Sequence, residues 1–225
     1  MASFEHKNFI FLLLQTMHSF NFIFYIWISL QYAIKLKQIK AYLNKIAIIS
    51  DLDLSFFISK LQRRVILKKE IFLKVNEIEN YISFIESGIV RLFIPNENPD
   101  KETTFGFSFK NQFISAYDSF LTLTPSTYEL QALTETTVLS ITYTDLQSVY
   151  TSTQIGNLIG RLTAERLLLL KSKREQNLLN LSAEALYLKL FKERPELLKQ
   201  IPLKYISSYI GVTAQALSRI RKRIL

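Results

Sequence analysis

The stretch from Pro202 to Leu225, PLKYISSYIGVTAQALSRIRKRIL, constrains this chain more than any other. Proline suits a first helical turn because it has no N–H to leave unpaired, so Pro202 opens a helix expected from about Leu203 to Ile210. Gly211 follows as the left-handed residue of a tight turn. Thr213 stands where an N-cap is wanted, and the chain from Ala214 onward is rich in helix formers. Ile206, Ile210, Val212, Leu217 and Ile220 fall where two crossed helices bury a shared face. Outside remain Gln215, Ser218, Arg219, Arg221, Lys222 and Arg223, with Lys204 on the first helix and no Asp or Glu anywhere in the segment. A capped, cationic helix of this kind suits a DNA major groove. The plainer alternative is an amphipathic helix pair that packs on the protein and ends in a basic tail. Glycine, cap, apolar spacing and charge all agree on one unit, which favours the first.

Composition removes most competing chemistries. The 225 residues suffice for one large or two small domains, and the formal net charge of +9 favours a nucleic acid or an anionic membrane face. There is no cysteine, which excludes disulfides, thiolate metal sites, cysteine nucleophiles and cysteine-ligated clusters. The two histidines, His6 and His18, lie near the start of the chain. The main body therefore has no imidazole for a Ser-His-Asp site or a metal, which weighs against a cupin-type β-roll enzyme. The five glycines form neither a G-x-x-x-x-G-K nor a G-x-G-x-x-G loop. No catalytic residue, metal or cofactor is expected.

Residues 8–34 carry no charged side chain and are long enough to cross a bilayer. Lys35, Lys37 and Lys40 follow, which by the positive-inside rule keeps the remainder cytoplasmic. A cleaved signal peptide fits less well, because no small-x-small site follows. Polar residues such as Asn8, Gln15, His18, Asn21 and Gln31 make a poor anchor. The reading favoured here is an upstream extension, with Met17 an internal candidate start and no valine before Val65.

From Ile39 the pattern changes. Residues 39–62 have helical spacing, with Ser50 or Asp51 capping a second short helix. Short β runs follow at Val65–Leu67, Glu70–Val75, Tyr81–Ile85, Ile89–Ile94, Thr103–Phe109, Thr127–Leu133 and Thr137–Thr142. Turn signals at Asn76, Gly88 and Pro95–Asp100 separate them. Such spacing points to a barrel or a jelly-roll-like sandwich. Asp145–Tyr150 reads as a short helix, Gln154–Leu179 as a long one, and Ser182–Lys192 as another ended by Arg194-Pro195. The long helix carries Ile155, Leu158, Ile159, Leu162, Leu169 and Leu170, more apolar surface than one β face needs, so a partner helix is expected.

This order of elements, from about Ile39 to Leu225, resembles the Crp/Fnr family of bacterial transcription regulators. The likeness rests on Tyr81–Arg91 (YISFIESGIVR), Tyr117–Leu121 with Pro125-Ser126, Gly160–Glu165, and Pro202–Arg221. It implies an α+β chain with an N-terminal β-roll sensor, a long dimerisation helix and a C-terminal helix-turn-helix. The corresponding boundaries are 1–38 for the extension, 39–145 for the β-roll, 146–180 for the helix and 181–225 for the DNA-binding domain. It also implies a cytoplasmic homodimer acting on double-stranded DNA, with RNA polymerase a further partner. Carried over by position, Thr213 serves a phosphate or the cap. Ala214, Gln215 and Ser218 face base edges, and Arg219 meets a guanine or a phosphate. Lys204, Arg221 and Lys222 complete the DNA-contacting set. Ala214 can do little beyond touching a thymine methyl, so the operator should differ from that of the cyclic-AMP-responsive members.

Cyclic-nucleotide binders in the family hold the cyclic phosphate with a β-roll arginine and the ribose with a glutamate. The matching window, Asn111–Ala132, has no arginine, and its Asp118 and Glu129 repel a phosphate. Cyclic AMP is therefore disfavoured. Ser115, Tyr117, Ser126, Thr127 and Tyr128 form a polar set that either lines a pocket for some other small effector or satisfies buried backbone and turns. The leading expectation is a dimeric, sequence-specific regulator on an inverted repeat. The alternative is a membrane-tethered β-roll signalling protein anchored through residues 8–34.

Overall fold

The computed structural model describes residues 38–193 and 195–224. The chain divides into two compact units, Met1–Tyr42 and Leu43–Leu225. Of the first, residues 38–42 are described and are helical. The uncharged stretch 8–34, read as an extension or a span, lies outside the described residues. Among the described residues no helix is long and apolar enough to cross a membrane.

The second unit opens with α1 (Asp51–Ser59). Ser50 caps it, the Asp53 N–H donating to the Ser50 Oγ at 3.1 Å. Eight strands follow among the described residues: β1 (Gln62–Ile66), β2 (Ile71–Leu73), β3 (Tyr81–Ser87), β4 (Ile89–Ile94), β5 (Thr103–Phe109), β6 (Phe113–Ile114), β7 (Glu129–Ala132) and β8 (Thr136–Thr142). A short helix α2 (Tyr117–Thr122) lies between β6 and β7. The strands form two four-stranded sheets, β1-β8-β3-β6 and β2-β7-β4-β5, all pairs antiparallel. Inward-facing Ile66, Ile85, Val90, Ile114, Leu130 and Val138 make the core between them. Gly88 joins β3 to β4 at φ +104°; a Cβ there would lie 2.7 Å from the Thr136 Cα, so both space and backbone demand glycine.

After the β-roll come α3 (Tyr143–Ser152), α4 (Gly156–Asn180), α5 (Ala183–Glu193), α6 (Pro195–Gln200), α7 (Leu203–Ile210) and α8 (Ala214–Ile224). The α+β architecture expected from the sequence is the one found. Differences concern short elements. β6 and α2 were not expected as elements, because neither is long enough to show a period. The helix ended by Arg194-Pro195 is followed at once by α6, since proline is well suited to start a new helix. β1 lies upstream of the expected Val65–Leu67, and Val65 and Leu67 are exposed while Ile66 points inward.

Candidate nucleic-acid interface

The helix pair α7–α8 is built as the sequence leads one to expect. Gly211, at φ +88°, closes α7. Its N–H donates to the Ser208 carbonyl at 3.1 Å, and the Val212 N–H donates to the Ser207 carbonyl at 3.0 Å, the paired bonds of a Schellman closure. Thr213 caps α8, its Oγ1 accepting from the Ala216 N–H at 3.1 Å. Ile206, Ile210, Leu217 and Ile220 are buried together, and Val212 packs against them half-buried.

Burying one stripe of α8 leaves its other stripes outward. Gln215, Arg219 and Lys222 follow one another at helical spacing, as do Ala214, Ser218 and Arg221. Thr213, Gln215, Arg219, Arg221 and Lys222 are exposed, while Ala214 and Ser218 are half-buried. These stripes hold three cations, Arg219, Arg221 and Lys222, and the helix has no carboxylate of its own. Arg223 is drawn aside into an ion pair with Glu184 of α5. Lys204, the remaining expected contact, sits on α7 with its Nζ 2.9 Å from the Asp100 carboxylate.

The helix pair does not stand alone. Its core includes Ile89 of β4 and Tyr187 of α5, with Phe107 and Phe109 of β5 packed against it. Strand β4 reads IVRLFI, apolar on both faces except at Arg91, and Arg91 is 1% exposed. The Arg91 Nε donates to Thr104 Oγ1 at 2.8 Å and its Nη1 to Glu102 Oε2 at 2.9 Å. Its Nη2 has no hydrogen-bond partner among the described residues. The guanidinium lies between two rings, 4.0 Å from that of Phe93 and 3.9 Å from that of Tyr205 on α7. Burial pulls this guanidinium below its ordinary pKa, against the pull of Glu102. In the sequence Arg91 stands out only as the end of the Tyr81–Arg91 stretch that carries the family likeness. Nothing local in IVRLFI announces a partner on α7.

The expected effector residues are placed as follows. Ser115 is buried and donates to the Tyr81 carbonyl at 2.9 Å. Ser126 is buried and donates to the Tyr128 carbonyl at 2.7 Å. Thr127 is exposed. The Tyr128 hydroxyl donates to Asp118 at 2.7 Å, and burial, then that bond, pushes its pKa well up. Tyr117 borders a largely apolar groove of about 180 Å³, together with Phe57, Ile82, Phe113 and Leu146. Glu79, not singled out in the sequence, is buried beside this set, its carboxylate accepting from the Tyr81 N–H at 3.0 Å. Among the described residues no cluster of His, Asp and Glu could hold a metal.

Residues 63–153 match the family model of the cyclic nucleotide-binding domain. A search of curated proteins gives no match. Among solved structures, the chain is similar to the c-di-GMP-responsive global regulator CLP of Xanthomonas campestris (TM-score 0.60, 17% identity, 78% of this chain and 91% of that one). It is similar also to FixK2 of Bradyrhizobium japonicum (0.58, 15%, 73% and 84%). A third is the catabolite activator protein of Thermus thermophilus (0.50, 17%, 78% and 84%). At such identities the likeness is one of fold. The class so defined is a cyclic-nucleotide-binding-type β-roll carrying a C-terminal helical region. These structural neighbours are Crp/Fnr regulators, and the resemblance read from residues 39–225 stands.

Proposed function

We propose that this protein is a sequence-specific DNA-binding transcription regulator, working as a homodimer on an inverted repeat. The observation that carries the reading is α8: a capped helix, anchored by Leu217 and Ile220, that turns Gln215, Arg219, Arg221 and Lys222 to solvent with no acid among them. Arg219 pairs with a guanine or a phosphate and Gln215 with an adenine edge, while Thr213, Ala214, Ser218 and Lys204 complete the contact surface. Two such helices, about one helical turn of DNA apart, need a twofold axis. The long helix α4 offers one, because within it only Gly156 is buried while Leu168 and Leu169 are 68% and 71% exposed.

On this reading residues 39–145 form the sensor, 146–180 the dimerisation helix and 181–225 the DNA-binding part. RNA polymerase is a further partner, and the setting is cytoplasmic. The effector is unknown or absent, and not cyclic AMP; Ser115, Tyr117, Ser126, Thr127 and Tyr128 are the polar candidates to line a pocket, or else serve to satisfy backbone and turns. The missing arginine between Arg91 and Arg161 supports that exclusion.

The test is a genomic DNA selection with the full chain at physiological salt, followed by sequencing of the bound fraction. A reproducible inverted repeat is the expected result. Bulk binding without a motif would reduce the function to the +9 charge and reject the reading. The uncharged stretch 8–34 supports the tethered alternative, which predicts a protein that stays with membranes through a high-salt wash.

A further inference from the structure

The first helix of the DNA-reading pair is held from two sides, and polar contacts are added there to an apolar cluster that includes Ile89, Phe107 and Phe109. Tyr205 and Tyr209 lie four residues apart on α7 and so share a face. An arginine from a different element covers each. Arg91 of β4 stacks 3.9 Å from the Tyr205 ring, and Arg174 of α4 stacks 3.7 Å from that of Tyr209. Arg174 also donates from Nη2 to the Tyr209 carbonyl at 3.1 Å, and the Phe107 ring lies 5.3 Å from that of Tyr209. Between the two tyrosines Ser208 works as a bolt into β5. Its hydroxyl donates to the Glu102 carbonyl and accepts from the Thr104 N–H at 2.8 Å.

The contacts refer α7 to two different parts of the molecule. Arg91, Thr104 and Phe107 tie it to the sensor sheet. Arg174 ties it to the long helix, which on the reading above runs along the dimer axis. Fixing a short helix at two points four residues apart fixes its direction as well as its place. Because α8 shares a core with α7, the pose of the recognition helix follows. Guanidinium planes suit this task, since they stack on aromatic faces while their edges hydrogen-bond, which a lysine ammonium cannot do.

We propose that Arg91 and Arg174 are positioning residues for DNA recognition: their clasps on Tyr205 and Tyr209 set the spacing and pitch at which the two recognition helices meet the operator. The inference rests on the DNA-binding reading above. Neither arginine touches DNA; both act through α7.

The experiment uses the full chain and the operator recovered by selection, together with the same operator carrying one extra base pair between its half-sites. One added pair turns the second half-site by roughly 34° about the DNA axis. A rigidly held wild type loses about tenfold or more in affinity. The double variant Arg91→Lys/Arg174→Lys keeps the charge, and with it the salt dependence, but releases the clasps. Its loss on insertion falls to about threefold or less. Mere destabilisation lowers the active fraction equally on both DNAs and leaves that ratio unchanged. Ser208→Ala, measured in the same way, serves if the double variant does not fold. Amide exchange at Thr104, faster in either variant, reports release without any DNA. A wild type that tolerates the insertion overturns the inference, as do variants with the wild-type penalty and Thr104 protection. A wild type with no operator at all removes the DNA-binding reading, and this inference with it.

Discussion

On the proposed reading, Asp100 and a DNA phosphate would compete for the Lys204 ammonium. Its pairing with Asp100 joins two partly exposed side chains, 43% and 85% accessible, and such pairs contribute about 0–1 kcal/mol. A DNA phosphate can displace a partner held so weakly. Asp100→Asn should therefore strengthen operator binding about two- to threefold and raise the salt slope by up to about 1, read from a salt titration of affinity. Arg219→Ala should cost about 1–3 kcal/mol and relax preference at one base position, checked by repeating the selection with the variant. Unchanged base preference would remove Arg219 from the reading set. The exposure of Gln215 and Arg219 on one side of α8 was legible in the sequence because it follows from local spacing after a capped glycine turn. Asp100, Arg91 and Arg174 were not, because their partners on α7 come from distant parts of the chain and pairing across such separations leaves no period.

Among the elements, α4 is the one whose surface asks for a partner. Its 25 residues place Leu158, Leu162 and Leu169 along one stripe, and Leu158 and Leu169 are exposed. Leu169→Glu should shift the assembly from dimer to monomer in sedimentation equilibrium while leaving the far-ultraviolet circular dichroism unchanged, because Leu169 packs on nothing that holds the fold of one chain. Operator binding should fall in parallel. A dimer that survives the substitution would place the twofold axis elsewhere. The bounds of β4, β5 and α7 could be read to the residue, each being an unbroken run closed by a turn residue. β6, only Phe113–Ile114, exists by pairing with β3, which is tertiary context, whereas α6 starts at Pro195 for a local reason, although in the sequence that proline reads only as a stop.

At the scale of the whole molecule, the β-roll and the helix pair α7–α8 share buried side chains, so stability should report on both together. Glu79 provides a handle. Burial raises its carboxyl above the ordinary range, against the lowering effect of backbone N–H donors and of Arg64. The folded state therefore takes up this proton before the unfolded state does. Its contribution to stability grows as pH falls through the raised folded value and is complete below the ordinary one. Glu79→Gln should remove that component, so the wild type gains on the variant as pH is lowered from about 7 to about 4 in urea unfolding. Asp145 acts in the opposite sense. The Thr142 hydroxyl and then Lys60 hold it low, and its contribution is lost as pH falls through that depressed value. A wild-type-minus-variant difference flat in pH would mean that Glu79 titrates alike in both states.

The sheet β2-β7-β4-β5 ends at β5, whose open side is filled by the Ser208 hydroxyl reaching Thr104 and Glu102. Lifting α7 would bare the Thr104 N–H and the Glu102 carbonyl at this sheet edge, where an extended chain could begin to pair. Movement of α7 and α8 away from the β-roll thus carries a solubility penalty as well as an energetic one. A ligand or mutation that favours the lifted form should show itself first as concentration-dependent clumping.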